Sequence, residues 1–268
     1  MTIYKNEMPA VQFGQFTRSF LTSDMLLLDI ETTGLSPAKN YIYCIGCSFP
    51  VKETISIQLF FAEEKNEERE ILKQLSVLLA SHSTVITFNG TAFDIPFLRK
   101  RYARYDMDDP FLPVTFLDLY QEARQLKTLL CLENYRQKSL ELFLGCSRED
   151  TYSGKELIDI YLKYVSAPDP ESQHLLLTHN YEDVKGMYDL IEILSYRNFL
   201  NGHFLIQNII FETDQGNSLL DIILTPTFPV PQSIHRITEE AKLILDKEQS
   251  LIQFPVHTGM LRHYFPDY

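Results

Sequence analysis

The segment 25–34, which reads MLLLDIETTG, constrains the fold of this chain more than any other stretch. Its apolar residues are typical of a buried β-strand, yet the strand ends on two carboxylates, Asp29 and Glu31. Because side chains alternate between the two faces of a strand, these carboxylates point to the same side. Two buried carboxylates this close repel each other unless a cation lies between them. The pair therefore indicates a hard metal ion, although a solvent-exposed strand end before the Thr-Thr-Gly turn explains it equally well.

The chain has 268 residues, of which 45% are hydrophobic and 22% charged, enough for one large domain or two smaller ones. Its net charge of −12, from 24 basic and 36 acidic residues, argues against a protein that coats nucleic acid through a broad basic surface. A local basic lip beside an acidic metal pocket stays possible. No apolar run approaches the roughly 20 residues that span a bilayer, and the N-terminus lacks a signal-peptide pattern, so we expect a cytoplasmic protein.

The four cysteines are too few for a disulfide framework in a chain this long. Cys44 and Cys47 form a Cys-x-x-Cys pattern in a strand-like segment, where this spacing puts the two thiols on opposite faces. Cys131 and Cys146 are too far apart in sequence to supply the second half of a zinc site. We therefore expect Cys44 and Cys47 to be buried strand residues rather than metal ligands.

Strand-like and helix-like segments alternate over residues 1–200, which predicts an α/β fold with a mixed five-stranded sheet flanked by helices. Residues 201–268 change character and are predicted to form a small β-rich C-terminal extension of two hairpins, without a chemical motif. The predicted strands span residues 25–31, 40–49, 54–61, 84–88 and 114–117, then 204–213, 219–224, 241–246 and 250–256. The main predicted helices span residues 67–80, 93–105, 140–144, 157–165 and 171–199.

A further acidic residue follows the predicted strand 84–88. That strand stops at Asn89, and Asp94 comes at the start of the next predicted helix, where the helix dipole favours a negative charge. Ligands of open α/β sheets gather at such strand ends. If this strand lies beside the first one, Asp94 faces Asp29 and Glu31. Otherwise Asp94 is a plain helix N-cap.

The predicted helix 171–199 carries a charge on its apolar face. Leu176, Asp183 and Met187 share one face by the helical period. A carboxylate in that position is rarely buried unless it is paired or bound to a metal ion. His179 projects near Asp183 from one turn earlier, and it is open whether this histidine is structural or catalytic.

These three segments together resemble the motifs of the DEDD, or DnaQ-like, 3′-to-5′ exonucleases of the ribonuclease H-like fold. The motifs are DIETTGL at 29–35, NGTAFD at 89–94 and the late helix with His179-x-x-x-Asp183. More narrowly, the chain is similar to the YprB-type ribonuclease H-like bacterial proteins. The spacers that carry this narrower resemblance are DLY at 118–120, SLELFLG at 139–145 and HN-x-x-DV at 179–184. The resemblance covers about residues 24–199 and leaves the β-rich extension unexplained.

The resemblance implies a metal-dependent exonuclease that acts on the 3′ end of single-stranded DNA or RNA. Asp29, Glu31 and Asp183 would hold the metal ion that activates water, and Asp29 would bridge to a second ion supported by Asp94. In such enzymes two divalent ions about 3.5–4 Å apart stabilise the attacking and the leaving oxygen. Oxygen ligands favour Mg²⁺ or Mn²⁺. His179 would act beside the attacking water as a base or an orienting group.

The position of the histidine departs from the family pattern. Histidine-type enzymes usually place this residue five positions before the last aspartate, whereas tyrosine-type enzymes place a tyrosine four positions before it. His179 lies four positions before Asp183, in the tyrosine register. Tyr181 is expected to point elsewhere on the helix. The metal ligands are thus complete, whereas the proton-transfer group does not match either type.

The resemblance also predicts the substrate contacts. The backbone of Thr32, Thr33, Gly34 and Leu35 would contact the terminal nucleotide, with Leu35 packing on its base, and Asn89 would take part in substrate binding.

A cluster of basic residues follows the second motif, with Arg99 and Arg101 as candidate substrate contacts beside Lys100 and Arg104. This cluster is either a solvated helix face or a lip that grips phosphates. The acid-rich segment 63–70 is expected to be a solvated loop and helix start.

Two other functions compete with the exonuclease. One is a nucleic-acid-binding or scaffold protein that retains the fold and has little or no catalytic activity, which the displaced histidine favours and the four carboxylates oppose. The other is an endonuclease of the same fold, with a cleft open at both ends. Linear and circular substrates separate the exonuclease from the endonuclease, because only an endonuclease cuts a circle.

Overall fold

The computed structural model describes residues 1–149, 152–214, 217–257 and 259. Contacts divide the chain into two compact units, Met1–Leu194 and Ser195–Tyr268. Among the described helices, none combines the length and the apolar character needed to cross a bilayer.

The first unit is built on a mixed sheet with helices packed against it. Its strands are β1 (Thr2–Pro9), β2 (Met25–Thr32), β3 (Ile42–Val51), β4 (Thr54–Phe61), β5 (Thr84–Thr87) and β6 (Thr115–Asp118). Its helices are α1 (Gln15–Phe20), α2 (Glu68–Leu79), α3 (Asp94–Arg104), α4 (Leu119–Gln125), α5 (Lys127–Leu130), α6 (Gln137–Leu144), α7 (Gly154–Ser166) and α8 (Pro170–Ile191). Short 3-10 helices span Ala10–Gln12 and Lys65–Glu67, and α9 (Leu194–Leu200) follows at the boundary of the two units.

The sheet has six strands in the order β1-β4-β3-β2-β5-β6. β1 to β4 are joined by antiparallel pairings, whereas β5 runs parallel to β2 and β6 runs parallel to β5. The sequence predicted five strands and missed β1, because its polar and charged residues and its final Pro9 are typical of an edge strand. Since β2 and β5 are parallel, their carboxyl ends meet at one edge of the sheet.

The two faces of β2 have different partners. The side chains of Leu26, Leu28 and Ile30 belong to the hydrophobic core that includes residues of α2 and α3. The alternate side chains lie on the opposite face, against which α8 packs. This alternation turns Asp29 and Glu31 toward α8.

The helix predicted over 171–199 is two helices. α8 ends at Ile191, and the next two backbone N–H groups make short-range bonds, from Glu192 to Asp189 at 3.1 Å and from Ile193 to Leu190 at 3.0 Å. The Glu192 carboxylate accepts a hydrogen bond from the backbone N–H of Thr17 at 2.7 Å. Such tightened final turns are common where a helix ends.

The second unit contains a five-stranded antiparallel sheet, which confirms the predicted β-rich character. The strand order is β7-β8-β11-β10-β9, with β7 (Phe204–Asp214), β8 (Asn217–Pro226), β9 (Ile234–Ile237), β10 (Lys242–Leu245) and β11 (Ser250–Val256). Both predicted hairpin pairings are present, β7 with β8 and β10 with β11. The sequence missed β9, which is only four residues long. The turn predicted at 214–218 includes Gln215 and Gly216, which lie outside the described residues.

Candidate active site

Asp29 and Glu31 lie in the middle of the sheet, on the face covered by α8. β2 pairs with β3 on one side and with β5 on the other. Asp29 lies opposite Gly46 and Glu31 opposite Cys44, and the register shifts between Glu31 and Thr32. Both acidic residues are partly buried. The alternative of a solvent-exposed strand end is therefore wrong.

Asp94 begins α3 and turns toward β2. Its Oδ1 accepts a hydrogen bond from the backbone N–H of Ile30 at 3.1 Å, and the residue is 6% exposed. Phe93 occupies the cap position of α3, so the alternative in which Asp94 is a plain N-cap is wrong. Burial raises the pKa of Asp94 to about 7, although the Ile30 N–H favours the ionised form.

α8 supplies His179 and Asp183, which lie one helical turn apart. His179 Nε2 is 3.2 Å from Glu31 Oε1 and 3.1 Å from Asp183 Oδ2. One potential ligand atom from each of Glu31, His179 and Asp183 lies within 4.8 Å of the others. The imidazole therefore stands between two carboxylates. The Tyr181 hydroxyl instead accepts a hydrogen bond from Asn6 Nδ2 at 3.1 Å, so this side chain points elsewhere, as predicted.

The carboxylates are close enough to perturb one another. Burial raises the pKa of Asp29 well above its usual range, and repulsion from Asp183, Asp94 and Glu31 adds to the effect. Burial also raises the pKa of Glu31, whereas His179 lowers it. A cluster of this kind needs nearby positive charge before all its members can ionise together.

Arg148 supplies part of the positive charge beside these carboxylates. The sequence did not predict this residue as part of the site. Its guanidinium contacts Asp183 Oδ1, and its Nη2 donates to Glu141 Oε1 at 2.6 Å. Glu141 lies on α6 and is 2% exposed. Both carboxylate oxygens of Asp183 are thus engaged, one by Arg148 and the other by His179. Arg148 follows α6 in a loop, where no periodic pattern indicates the direction of a side chain.

The carboxylates of Asp29 and Glu31 each accept a hydrogen bond from a side chain that the sequence did not predict as a site residue, Asn180 for Asp29 and Tyr43 for Glu31. Asn180 is fully buried, and its Nδ2 donates to Asp29 Oδ2 at 2.7 Å. α8 can come this close because Gly46 has no side chain, and a Cβ there would lie 2.4 Å from Asn180 Oδ1. The Tyr43 hydroxyl donates to Glu31 Oε2 at 3.4 Å. The asparagine within the HN-x-x-DV segment was the available signal for Asn180.

Asp118 organises the loop that leads from β5 to Asp94. Its carboxylate accepts hydrogen bonds from the backbone N–H groups of Asn89 at 2.8 Å, Thr91 at 3.1 Å and Tyr120 at 3.1 Å. Asn89 adopts a left-handed conformation with φ of 60°, which asparagine tolerates better than most residues. Asp118 is also the N-cap of α4, so one carboxylate both caps this helix and fixes the neighbouring loop.

The predicted substrate contacts at Thr32 to Leu35 comprise the last residue of β2 and the turn that follows it. The Thr32 hydroxyl donates to the Gly34 carbonyl at 3.0 Å, and the Thr33 N–H donates to the Tyr41 carbonyl at 3.0 Å. Leu35 is 84% exposed, so its side chain is accessible to a ligand.

The predicted basic lip on α3 is wrong for Arg101. This residue is 4% exposed, and its Nε donates to Glu68 Oε1 at 2.7 Å. Glu68 is fully buried, so the expectation that the segment 63–70 is solvated is wrong at this position. Arg99 pairs with Asp109 at 3.0 Å. Charge spacing along a helix does not show which arginine turns inward to a buried partner.

An open cleft of about 820 Å³ leads to the carboxylates. Exposed Arg136 and Lys138 line it, so the basic residues of the cleft come from the start of α6 rather than from α3. The described residues that line the cleft do not include Thr32 to Leu35. The predicted site residues in its lining are Asp29, Asn89, Asp94, His179 and Asp183.

The profile of the RNase_H superfamily matches residues 26–195, which is more than half of the chain. This chain belongs to the RNase_H superfamily. The superfamily and the fold class predicted from the sequence are thereby confirmed.

This RNase_H superfamily chain is 23% identical over 196 residues to the uncharacterized protein YprB of Bacillus subtilis (strain 168). The alignment covers 69% of this chain and 45% of YprB, so the chain spans less than half the length of that relative. A family B DNA polymerase from the hyperthermophilic archaeon Pyrobaculum calidifontis matches with a TM-score of 0.50 and 14% identity, over 63% of this chain and 24% of the polymerase. E. coli exonuclease I in complex with a dT13 oligonucleotide has a TM-score of 0.45 and 13% identity, over 76% and 55% of the two chains.

The residues of this RNase_H superfamily site suit a hard divalent cation. Oxygen donors from Asp29, Glu31, Asp94 and Asp183 converge from β2, α3 and α8 near the carboxyl end of β2. Mg²⁺ and Mn²⁺ prefer such donors, and a cation would offset the repulsion that raises the carboxylate pKa values. The same arrangement leaves the imidazole of His179 beside the donors, where it can act as a ligand or exchange a proton.

Proposed function

We propose that this chain is a metal-dependent nuclease that removes nucleotides from the 3′ end of single-stranded DNA or RNA. The observation that carries the proposal is the convergence of four carboxylates, those of Asp29, Glu31, Asp94 and Asp183, at the carboxyl ends of the parallel strands β2 and β5. All of them except Glu31 line the open cleft. Four enclosed carboxylates are costly to assemble unless they bind cations. The sequence motifs that supply them match the exonuclease pattern in order and setting.

In this proposal Asp29, Glu31 and Asp183 would hold one Mg²⁺ or Mn²⁺ ion, and Asp29 and Asp94 would hold a second. The ions would activate water and stabilise the oxygen that leaves the scissile phosphate. The surrounding residues position these ligands. Asn180 orients Asp29 and the Ile30 N–H orients Asp94.

His179 is the proposed proton-transfer group of this site. Its Nε2 lies within hydrogen-bond distance of the carboxylates of Glu31 and Asp183, so either carboxylate can stabilise the imidazolium after the histidine takes a proton from water. The substrate contacts assigned to Asn89, Leu35 and the turn at 32–34 belong to the same proposal. Arg101 is withdrawn from it, because its guanidinium is buried against Glu68.

We assign the nuclease activity to residues 1–200 and treat residues 201–268 as an extension. The unit Met1–Leu194 contains every proposed metal ligand. The extension contributes its own antiparallel sheet, and we propose no chemistry for it.

One observation favours a binding protein without turnover as the second candidate. Arg148 and His179 occupy both oxygens of Asp183, which would have to be released or shared when a metal ion binds. A chain in which these contacts persist would bind nucleic acid through its cleft and leave the phosphodiester intact.

The test is a Mg²⁺ and Mn²⁺ titration of the purified chain with 3′-labelled single-stranded DNA and RNA of matched sequence. We expect metal-dependent release of labelled mononucleotide from one or both strands. A circular single strand of the same composition is run in parallel. Cleavage of the circle would replace the exonuclease by an endonuclease, and binding without cleavage of any strand would favour the second candidate.

His179→Ala is expected to lower the cleavage rate by about 10²-fold, because the site would lose its proton-transfer group. The measurement is the pH–rate profile of wild type and variant at saturating metal ion. The variant should lose the limb of the profile that reports the histidine. If only the metal concentration needed for half-maximal rate changes, His179 is a ligand instead.

The metal-free protein is expected to lose stability as the pH rises from about 4 toward about 7 through Asp94. Its pKa is raised in the folded state, so the folded chain binds this proton more tightly than the unfolded chain, and the advantage disappears as the proton leaves. Thermal unfolding with a chelator at about pH 5 and about pH 8 measures the effect. Asp94→Asn retains an acceptor for the Ile30 N–H and should show a flatter pH dependence. An unchanged dependence would contradict the assignment.

A further inference from the structure

A second groove continues the catalytic cleft. We call it the upstream groove, and it is about 650 Å³ in volume. Tyr120, Asn134 and Arg136 line both the catalytic cleft and the upstream groove, so the two are adjacent and share a boundary. A ligand that enters one can therefore extend into the other.

The charge of the upstream groove is opposite to that of the chain. Its lining carries three basic side chains, Arg124, Lys127 and Arg136, and one acidic side chain, Glu133, in a chain with a net charge of −12. All three basic residues are exposed. Local positive charge on an acidic protein attracts an anionic ligand to that place rather than to the surface in general.

Aromatic rings accompany the charges. The guanidinium of Arg124 lies over the ring of Tyr120, 5.8 Å from its centroid. The ring of Tyr120 also packs edge to face against the ring of Phe88, with 5.8 Å between the ring centroids. This contact lies where the upstream groove adjoins the catalytic cleft. Tyr135 lines the groove farther along. Basic residues interleaved with aromatic rings are the arrangement that binds phosphates and stacks bases of single strands.

The upstream groove is preformed by a chain reversal after α5 and by hydrogen bonds of its lining residues. Cys131 ends α5 in a left-handed conformation with φ of 51°, which turns the chain back along the helix. The Tyr135 hydroxyl donates to the Lys127 carbonyl at 3.3 Å and ties the returning loop to α5. The Asn134 Oδ1 accepts from Ser139 Oγ at 2.6 Å and fixes the junction with the cleft. Little ordering is therefore needed on binding.

We infer that the upstream groove binds the portion of a single-stranded polynucleotide that lies 5′ of the nucleotide being removed. The inference rests on the proposed function, which places the 3′ end at the carboxylates. It adds that phosphates contact Arg124, Lys127 and Arg136 and that a base stacks on Tyr135. Substrates too short to reach the upstream groove should bind more weakly than longer ones.

The test measures binding of fluorescent dT3, dT12, rU3 and rU12 to the full chain by anisotropy in a chelator, with strand integrity checked on a gel. Arg124→Gln/Lys127→Gln should weaken binding of the 12-mer by about tenfold or more and lower the slope of log K against log salt by about 1.4, from two lost phosphate contacts. Binding of the 3-mer should change little. Arg69→Gln/Lys73→Gln, on the exposed face of α2, is the matched control. The DNA and RNA arms show which strand the groove prefers.

Variants of Tyr135 distinguish base stacking from the electrostatic contacts of the basic residues. Tyr135→Ala should weaken binding of the 12-mer about fivefold or more. Tyr135→Phe keeps the ring, loses only the hydroxyl contact to the Lys127 carbonyl and should retain most of the wild-type affinity. If wild type and the Arg124→Gln/Lys127→Gln variant bind the 12-mer with equal affinity, the inference about the upstream groove is overturned. Metal-dependent cleavage by wild type would in that case still support the proposed nuclease function. If wild type neither binds nor cuts either strand, the proposed function fails and the inference fails with it.

Discussion

Asp29→Ala is expected to lower metal-dependent cleavage by about 10³-fold or more, because the site would lose the proposed shared metal ligand, which is expected to supply several kcal/mol of transition-state stabilisation. Asp29 is the central choice, since its pKa responds to Asp183, Asp94 and Glu31 together. The measurement is initial release of the 3′ nucleotide at saturating Mn²⁺. Calorimetric metal titration of the same protein should show weaker binding.

The matched control is Asp159→Asn, which changes an exposed aspartate on α7. It should cleave at the wild-type rate and so exclude a general effect of lost negative charge. Asp29→Asn preserves the volume of the side chain and an acceptor for Asn180, and far-UV circular dichroism should show the wild-type fold. Wild-type cleavage by Asp29→Ala would remove Asp29 from the proposed site.

Glu68→Ala is expected to destabilise the first unit by about 3–5 kcal/mol, because it leaves the guanidinium of Arg101 buried without its partner. Glu68 also accepts hydrogen bonds from the backbone N–H of Ile42 at 2.8 Å and from the Tyr105 hydroxyl at 2.8 Å, so the substitution removes several contacts together. Denaturant unfolding followed by circular dichroism measures the change. The transition of the first unit has to be followed separately from that of the second, since the chain has two units.

Glu70→Ala is the matched control, since Glu70 pairs with Lys73 at 2.7 Å on the exposed face of the same helix and should cost no more than about 1 kcal/mol. The double variant Glu68→Met/Arg101→Met removes both buried charges and should recover much of the lost stability. A loss of less than about 1 kcal/mol in Glu68→Ala would contradict the description of this pair as a buried contact that the fold depends on.

Local patterns were sufficient to predict the centre of the fold. The apolar run before Asp29, the strand that stops at Asn89 and the helical spacing of His179 and Asp183 each depend on residues close in sequence. Strand and helix periods therefore predicted which faces carry the acidic groups, and the motif order predicted that these faces meet. The helix boundaries near 191 were not predicted, because the interruption depends on tightened backbone bonds that apolar spacing does not show.

Partners distant in sequence could not be predicted in the same way. Arg101 was assigned to a phosphate-gripping lip or a solvated face because its neighbours are basic, but Glu68 is buried beside it. Arg148 lies in a loop, and only the placement of α6 against α8 brings it to Asp183. The position of Arg136 in the lining of the cleft was missed for a related reason, since a short loop has no period that shows where its side chains point.

The absence of a side chain at Gly46 gives this site a vulnerability that lies outside its chemistry. A single methyl group there would meet the side chains of Asn180 and Val184, 2.4 and 2.5 Å from their nearest atoms, and something would have to shift. If α8 moved away from the sheet, Asp183 would leave Asp29. A descendant of this protein could therefore lose the proposed activity through one codon change on β3, while every acidic group of the motifs was still present in its sequence.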